Sequence, residues 1–329
     1  MDASEIELVR SSFSQGLTGV GPASLVAALD ALGFADLFEA EPATAVGELF
    51  DALGRLLTQG PALDIVVVSA LGVNIKADTA LVHPHPRTLT TASSRVSEAG
   101  ALRVHGLVMA GHAAGSALVV PAMTDNGVHA FAVAADTATI TWRAVRGADP
   151  DAGWQVIDGK VPAPALDDLG PADDIAGAAA ARRAVGHELV GVGSAMLSIG
   201  VEHVKNRHQF GKPIGTFQSV RHRLADVHAA LTAARNLLAG SWNEPDPMMS
   251  DVAKAQAGRA ALLAAQHVQQ VCGAMGYTWE HSLHRYIRRA LMLDSFYGRA
   301  SALTVAVGRQ MLDSASVPRF NPIHLAEAT

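Results

Sequence analysis

The chain has 329 residues, a formal charge of −6, and 49% hydrophobic against 17% charged residues. That balance excludes a disordered chain, and with no Lys/Arg block or basic-aromatic interleaving it excludes a nucleic-acid partner. A single cysteine, Cys272, excludes an internal disulfide. The N-terminus (Asp2, Glu5, Glu7) lacks the basic-then-apolar order of a secretory leader, so the expected compartment is the cytoplasm. The most apolar stretch, Ile65 to Val73, is bounded by Asp64 and Asn74. It falls short of the ~20 residues a bilayer span needs, so no membrane insertion is expected.

Along the chain, Ile6, Val9 and Phe13, then Leu25, Leu29 and Leu32, then Val46, Leu49, Leu53 and Leu57 recur at helical spacing. Three or four short helices are predicted for residues 1–75, with Pro22 opening one and Thr44 capping another. From 76 to 168 the texture changes to short alternating or β-branched runs: Leu102 to Leu107, Ala117 to Val120, His129 to Val133 and Thr137 to Trp142. Asp125-Asn126-Gly127 reads as a hairpin turn. The prolines of His83-Pro84-His85-Pro86 exclude a regular strand there. From 169 to 329 long, alanine-rich helices are predicted, starting near 178, 217, 250, 282 and 300. Phe217, Val220, Leu224, Val227, Leu231, Ala234 and Leu238 form an apolar bundle face. The fold class is mostly α with a small β domain.

Two segments carry chemistry. Arg207-His208-Gln209-Phe210-Gly211-Lys212-Pro213-Ile214 lies at the junction of two long helices, where Gly211 would end one and Thr216 cap the next. A simple corner needs no arginine, aromatic and glycine together, whereas a diphosphate ligand uses a cation, a stacking surface and close backbone approach. Gln270-Val271-Cys272-Gly273-Ala274-Met275-Gly276-Tyr277-Thr278 closes a later helix. Other candidates read as structural. His281 with His284 and His83 with His85 lack a third ligand, so no metal is expected. Gly191-Val192-Gly193 lacks the preceding strand of a dinucleotide loop and reads as helix packing. Arg285, Arg288 and Arg289 read as a solvated charged face.

Together and in this order, the two segments resemble the acyl-CoA dehydrogenase family, most strongly from Asp173 onward. The resemblance implies a helical N-terminal domain, a β-barrel-like middle domain and a C-terminal bundle of four-helix type. It also implies that Arg207, Phe210, Gln270, Gly273 and Ala274 contact FAD, with Arg207 on the diphosphate and Phe210 against the cofactor. Ala274 stands where the family has a second glycine. In that family these segments hold the adenosine diphosphate half of an FAD bound mainly by the neighbouring subunit.

Other family features are missing. Ala80-Leu81-Val82-His83-Pro84 stands where the family's alanine-leucine-threonine-glutamate-proline loop would be, and the tryptophan-isoleucine-threonine-asparagine flavin strand has no counterpart. Removing the α proton of an acyl-CoA needs a carboxylate. The family's two base positions hold Tyr297 and Ala181 here, the latter followed by the family's Arg182, and Glu188 lies two helical turns from Ala181. No catalytic residue is assigned to this chain. The resemblance implies the smaller subunit of a heteromeric (α2β2) dehydrogenase of the actinobacterial steroid side-chain type. FAD would be shared with the partner subunit, the glutamate and the acyl-CoA would sit in that partner, and an electron-transfer flavoprotein would accept the electrons. The alternatives are a self-sufficient homomer with another base, or a scaffold that binds no flavin.

Overall fold

The computed structural model describes residues 1–75, 79–112, 116–134, 136–137, 139–147, 149–243 and 246–314. Residues 1–75 form α1 (Ala3–Gly16), α2 (Leu25–Ala31), α3 (Phe34–Ala40), α4 (Pro42–Leu56) and α5 (Ala62–Leu71). α1 opens with a capping box: the Asp2 carboxylate accepts from the Ser4 and Glu5 amides, and Glu5 accepts from the Asp2 amide. Two expectations are corrected. There are five helices rather than three or four, because a left-handed Gly33 (φ 69°) separates α3 from α2. α4 begins at Pro42 rather than after Thr44, since proline at the first helical position loses no hydrogen bond. Pro22 opens a single 3-10 turn that leads into α2.

The strands are β1 (Thr79–Leu81), β2 (Ser94–Val96), β3 (Leu102–Val108), β4 (Ala117–Thr124), β5 (Gly127–Val133), β6 (Ile140–Ala144), β7 (Gln155–Val161) and β8 (Asp167–Pro171). They form one mixed sheet in the order β6-β7-β3-β2-β4-β5-β8, with β1 parallel to β4. The β4–β5 hairpin falls at Asp125-Asn126, where Thr124 pairs with Gly127 and Gly127 alone takes a positive φ (108°). β1, β2, β7 and β8 carry no alternation that marks them in the sequence. β7 is a strand because it pairs with β3 from Val161↔Leu102 to Gln155↔Val108, and β8 because it pairs with β5. Along β4, Leu118 and Val120 enter a core built by the strands, with Val104 and Ile157, while Val119 joins the helical core with Leu107 and Ala130. The sheet is therefore buried on both faces, and period-two patterning is weak where both faces are apolar.

The C-terminal half comprises α6 (Asp174–Asn206), a short hairpin β9 (His208–Gln209) and β10 (Lys212–Pro213), then α7 (Gln218–Asn243), α8 (Met248–Cys272), α9 (Leu283–Ser295) and α10 (Ala300–Ser314). Among the described residues α6, not the segment 65–73, is the helix long and apolar enough to cross a bilayer. Of its most apolar window, 67% is buried as the axis of the bundle. Its glycines allow close neighbours. A Cβ at Gly191 would lie 2.2 Å from the Asp51 carbonyl oxygen, and one at Gly54 would lie 2.2 Å from the Glu188 carbonyl oxygen, so α4 and α6 cross backbone to backbone. Gly191 and Gly193 are thus packing glycines. A Cβ at Gly193 would meet Ala261 at 3.5 Å and one at Gly200 would meet Val268 at 3.2 Å. The offset is the same in both pairs, so α6 and α8 run parallel and in step.

Arg289 of α9 corrects the expectation of a solvated arginine face. It is 3% exposed and pairs with Glu188 of α6 (2.9 Å) and with Asp149 ahead of β7 (2.7 Å), joining the sheet region to the bundle. Gly191→Ala should lower stability by about 3 kcal/mol, the upper end of overpacking costs, because the obstacle is backbone and not a movable side chain. Urea denaturation measures this, and an unchanged midpoint would show that the α4–α6 crossing has slack.

Candidate functional site

The first candidate centre lies where α9 gives way to α10. Tyr297 sits there with φ 52°, followed by Gly298 with φ 102°. A left-handed tyrosine costs roughly 1–2 kcal/mol, so its surroundings must hold it. Two cations from the bundle do so. Lys254 is fully buried and its ammonium donates to the carbonyls of Asp294 (3.0 Å) and Gly298, while Arg182 donates to the carbonyls of Tyr297 (3.2 Å) and Leu89 and pairs with Asp251 (2.8 Å). Burial pulls the Lys254 ammonium down to about 7.

The Tyr297 side chain, 0% exposed, begins a buried polar chain. Its phenol is 2.9 Å from His83 Nδ1, His83 Nε2 is 2.7 Å from Asp64 Oδ1, and Asp64 Oδ2 is 2.7 Å from His112 Nε2 and accepts the Leu81 amide at 2.9 Å. Burial alone would raise the Asp64 carboxyl, but hydrogen bonds from His112 and His83 more than offset it and hold it at about 2. An ionised Asp64 only accepts, so each histidine presents Nε2–H to it. His83 Nδ1, on the other side of the ring, meets the Tyr297 hydroxyl. Burial first, then Asp64 and Asp174, raises the Tyr297 hydroxyl well above its usual 10. A phenol that keeps its proton, is hydrogen-bonded to a histidine and meets no open space is poorly placed to act as a base for a bound substrate. Ala181 is a buried methyl, and Glu188 is held by Arg289.

Asp64 and His112 line a cleft of about 1430 Å³ between α2, α5 and the sheet, whose other walls include Val26, Ile65, Met109 and Trp142. His83 and Tyr297 lie behind that wall, each at 0% exposure. Sequence reading missed Asp64, His112 and Lys254 as members of this centre. The one available signal was an aspartate in the first turn of α5, otherwise an apolar helix.

The second candidate centre is the far end of the bundle. α6 ends at Asn206 and not at Gly211, with Arg207 as its C-cap. Phe210 (φ 52°) and Gly211 (φ 78°) form the two-residue tip between β9 and β10, and positive φ at both is the hairpin-turn geometry. Thr216 does not cap α7, because its hydroxyl donates to the Pro213 carbonyl (2.8 Å). Phe210 is 89% exposed and touches Phe217 edge-on at 6.1 Å. Its left-handed backbone is strained, and strain of that kind clusters at binding sites. At the end of α8, Gly273 adopts φ 59°, ψ −143°, which glycine alone tolerates, with open space where a Cβ would stand. Gln270 and Ala274 beside it are exposed. Because α6 and α8 are parallel and in step, the Arg207 hairpin and the 273–277 turn emerge at one end of the bundle. Among the described residues the Arg207 guanidinium has no carboxylate partner, and with an exposed ring and an open glycine turn it fits a diphosphate with an attached planar ring.

Among the described residues no three His, Cys, Asp or Glu side chains are placed to hold a metal ion. His83 is taken by Asp64 and Tyr297, while His85 stacks on His105 at 5.1 Å. His281 Nδ1 accepts the Leu283 amide (3.2 Å).

Residues 175–312 match the family described as acyl-CoA dehydrogenase, C-terminal domain. The acyl-CoA dehydrogenase IpdE2 of Mycobacterium tuberculosis is 39% identical over 103 residues, 31% of this chain and 32% of that protein. Matches to the IpdE2 proteins span about a third of their own length. The ChsE4-ChsE5 complex of Mycobacterium tuberculosis includes a chain that superimposes with TM-score 0.71 at 20% identity, covering 97% of this chain and 99% of that one. A steroid ACAD variant, Tcur3481-Tcur3483, gives TM-score 0.74 at 20% identity over 95% and 98%. These structural likenesses show the fold.

Asp64 is held at about 2 in the folded chain, against ~3.9 unfolded, so it adds about 2 kcal/mol of stability above pH 4 that is lost as pH falls through 2. Asp64→Asn should flatten that acid limb and lower stability at pH 7 by about 3 kcal/mol, since one amide oxygen cannot serve three donors. Thermal melts from pH 2 to 7 measure both. An acid limb that persists in the variant would assign it to other carboxylates.

Proposed function

We propose that this chain, which matches the acyl-CoA dehydrogenase C-terminal domain over residues 175–312 and has the fold of those enzymes along its length, is the subunit of a heteromeric FAD-dependent acyl-CoA dehydrogenase that does not supply the base. One observation carries this reading. At the position where the resemblance expects a carboxylate, a sealed, protonated Tyr297 is hydrogen-bonded to His83, the residue standing where the flavin loop's glutamate would be. Two positions that would face cofactor and substrate in a complete subunit have closed on each other.

The second centre supports the complementary half. When bound, FAD accepts the hydride that leaves the substrate's β carbon. Arg207 would pair with its diphosphate, Phe210 would pack on it, the Gln270 side chain and the Gly273 main chain would hydrogen-bond it, and the Ala274 amide would approach it with the methyl turned away. The partner subunit would supply the glutamate and the acyl-CoA pocket, and an electron-transfer flavoprotein would take the electrons. The likeness to a steroid ACAD and to the ChsE4-ChsE5 complex supports an α2β2 assembly acting on a steroid side-chain CoA thioester in the cytoplasm. Exposed Phe210, Met275, Tyr277, Trp279 and Val305 on the bundle supply apolar surface for such an interface.

Co-purification with a partner subunit tests this reading. The chain alone should be colourless and inactive, and the complex should be yellow. A yellow, active homotetramer obtained from this chain alone would overturn it. In the complex, Arg207→Ala should weaken FAD binding by roughly 10- to 150-fold, the equivalent of about 1.5–3 kcal/mol. Tyr297→Phe should leave the single-turnover rate of flavin reduction within about threefold, whereas loss of a general base costs ~10²–10⁴. A large defect in Tyr297→Phe at equal FAD content would place the chemistry in this chain.

A further inference from the structure

A second cavity, of about 520 Å³, lies between α5 and the start of α6, and none of the residues assigned to either centre above lines it. Its walls follow from helical spacing. Ala176, Ala179 and Ala180 recur on one face of α6, Val66 and Ala70 recur on one face of α5, and Phe38 of α3 closes the space. Side chains this short leave the gap between the two helices unfilled. The volume falls within the roughly 300–1,000 Å³ of small-molecule pockets.

One end of this apolar cavity is polar, and it holds donors without acceptors. Arg183 continues the α6 face one turn beyond Ala179 and lines the cavity together with Trp242. Its Nε and Nη2 both donate to the Ser241 carbonyl (3.1 and 2.9 Å), and its guanidinium lies 4.9 Å from the centre of the Trp242 ring. Nη1 keeps no partner among the described residues. The adjacent Arg182 has Asp251 at 2.8 Å, whereas among the described residues no carboxylate lies within salt-bridge distance of Arg183, and burial disfavours its charge. Trp242 Nε1 is buried without an acceptor as well. Asp173 also lines the cavity, but it lies about 15 Å from Arg183 along α6, with one oxygen accepting the Ala176 amide at 2.9 Å.

We propose that this cavity binds a small monocarboxylate with an apolar body, the carboxylate pairing with Arg183 beside the Trp242 ring and the body packing on the alanine face of α6. A part-buried cation without a counter-charge is stabilised by an anion that shares its cavity. A single negative charge fits, because a second one along the cavity would meet Asp173. The site is independent of the flavin reading. A molecule held there would join α3 and α5 to the bundle, so its binding should also raise the melting temperature.

Phenylacetate is the probe, and phenylacetamide is the control of nearly the same shape without the charge. Calorimetric titration of the full chain with phenylacetate should show one saturable site with a Kd below about 1 mM. Phenylacetamide should bind about tenfold more weakly or worse. Phenylacetate should alter the tryptophan fluorescence, and Trp242→Phe should remove that change. Arg183→Met keeps a stem on the Trp242 ring and removes the charge, so it should cost phenylacetate about tenfold in affinity and leave phenylacetamide unaffected. Because Arg183 also holds the Ser241 carbonyl, Ala180→Leu provides an independent variant, one that fills the cavity from an apolar wall and should abolish binding. Equal binding of acid and amide, or undiminished binding by either variant, overturns the proposal. So does a fluorescence change that survives Trp242→Phe, which would place the ligand in the larger cleft beside Trp142. The comparison of acid with amide uses the unmodified chain and decides the matter even if a variant fails to fold.

Discussion

A single buried carboxylate, Asp64, ties the three regions of this chain together. It projects from α5, accepts the Leu81 amide of β1, and is bonded by His83 and His112 from the sheet region, with Tyr297 of the bundle attached through His83. A buried carboxylate is tolerable only when its lone pairs are satisfied, so every donor must be in place at once. That requirement fixes where α5 meets the sheet and where the 296–299 turn meets both. It also ties Tyr297 to the same carboxylate, because His83 bonds Asp64 through one ring nitrogen and the phenol through the other.

The same region shows how the strained 294–298 turn is held in place. Lys254 and Arg182, both buried in the bundle, spend their donors on backbone carbonyls of the 294–298 turn. The left-handed Tyr297 is held by charge-assisted bonds. The resulting centre is filled with hydrogen-bonded rings. At the opposite extreme, the bundle end leaves Phe210 in water and Gly273 open, and among the described residues Arg207 has no carboxylate partner. The closed centre is satisfied internally, whereas the open one is costly until another molecule covers it.

Much of this was legible from residues alone. The arginine-aromatic-glycine corner and the 270–278 turn were recognisable as local strings, since each packs its chemistry within nine residues. The absent carboxylates at 181 and 297 were equally readable. Local punctuation was less so: α4 starts at Pro42 and not after Thr44, and the corner is a strand hairpin where a glycine-terminated helix was expected. β7 and β8 escaped notice because their strand state comes from partners far along the chain.

By itself, the sequence determined the element types, the mostly helical class with its β insert, and the identity of the groups at each motif. Those properties are local, set by spacing and side-chain chemistry within a turn or two. The tertiary structure alone decided which distant groups share a proton. Asp64 was only a break in an apolar run until folding set it against His83, His112 and the tyrosine 233 positions away, and Arg289 was a surface charge until Glu188 and Asp149 closed on it. Pairing of buried charges depends on three-dimensional approach within about 3 Å, a distance that no one-dimensional spacing encodes.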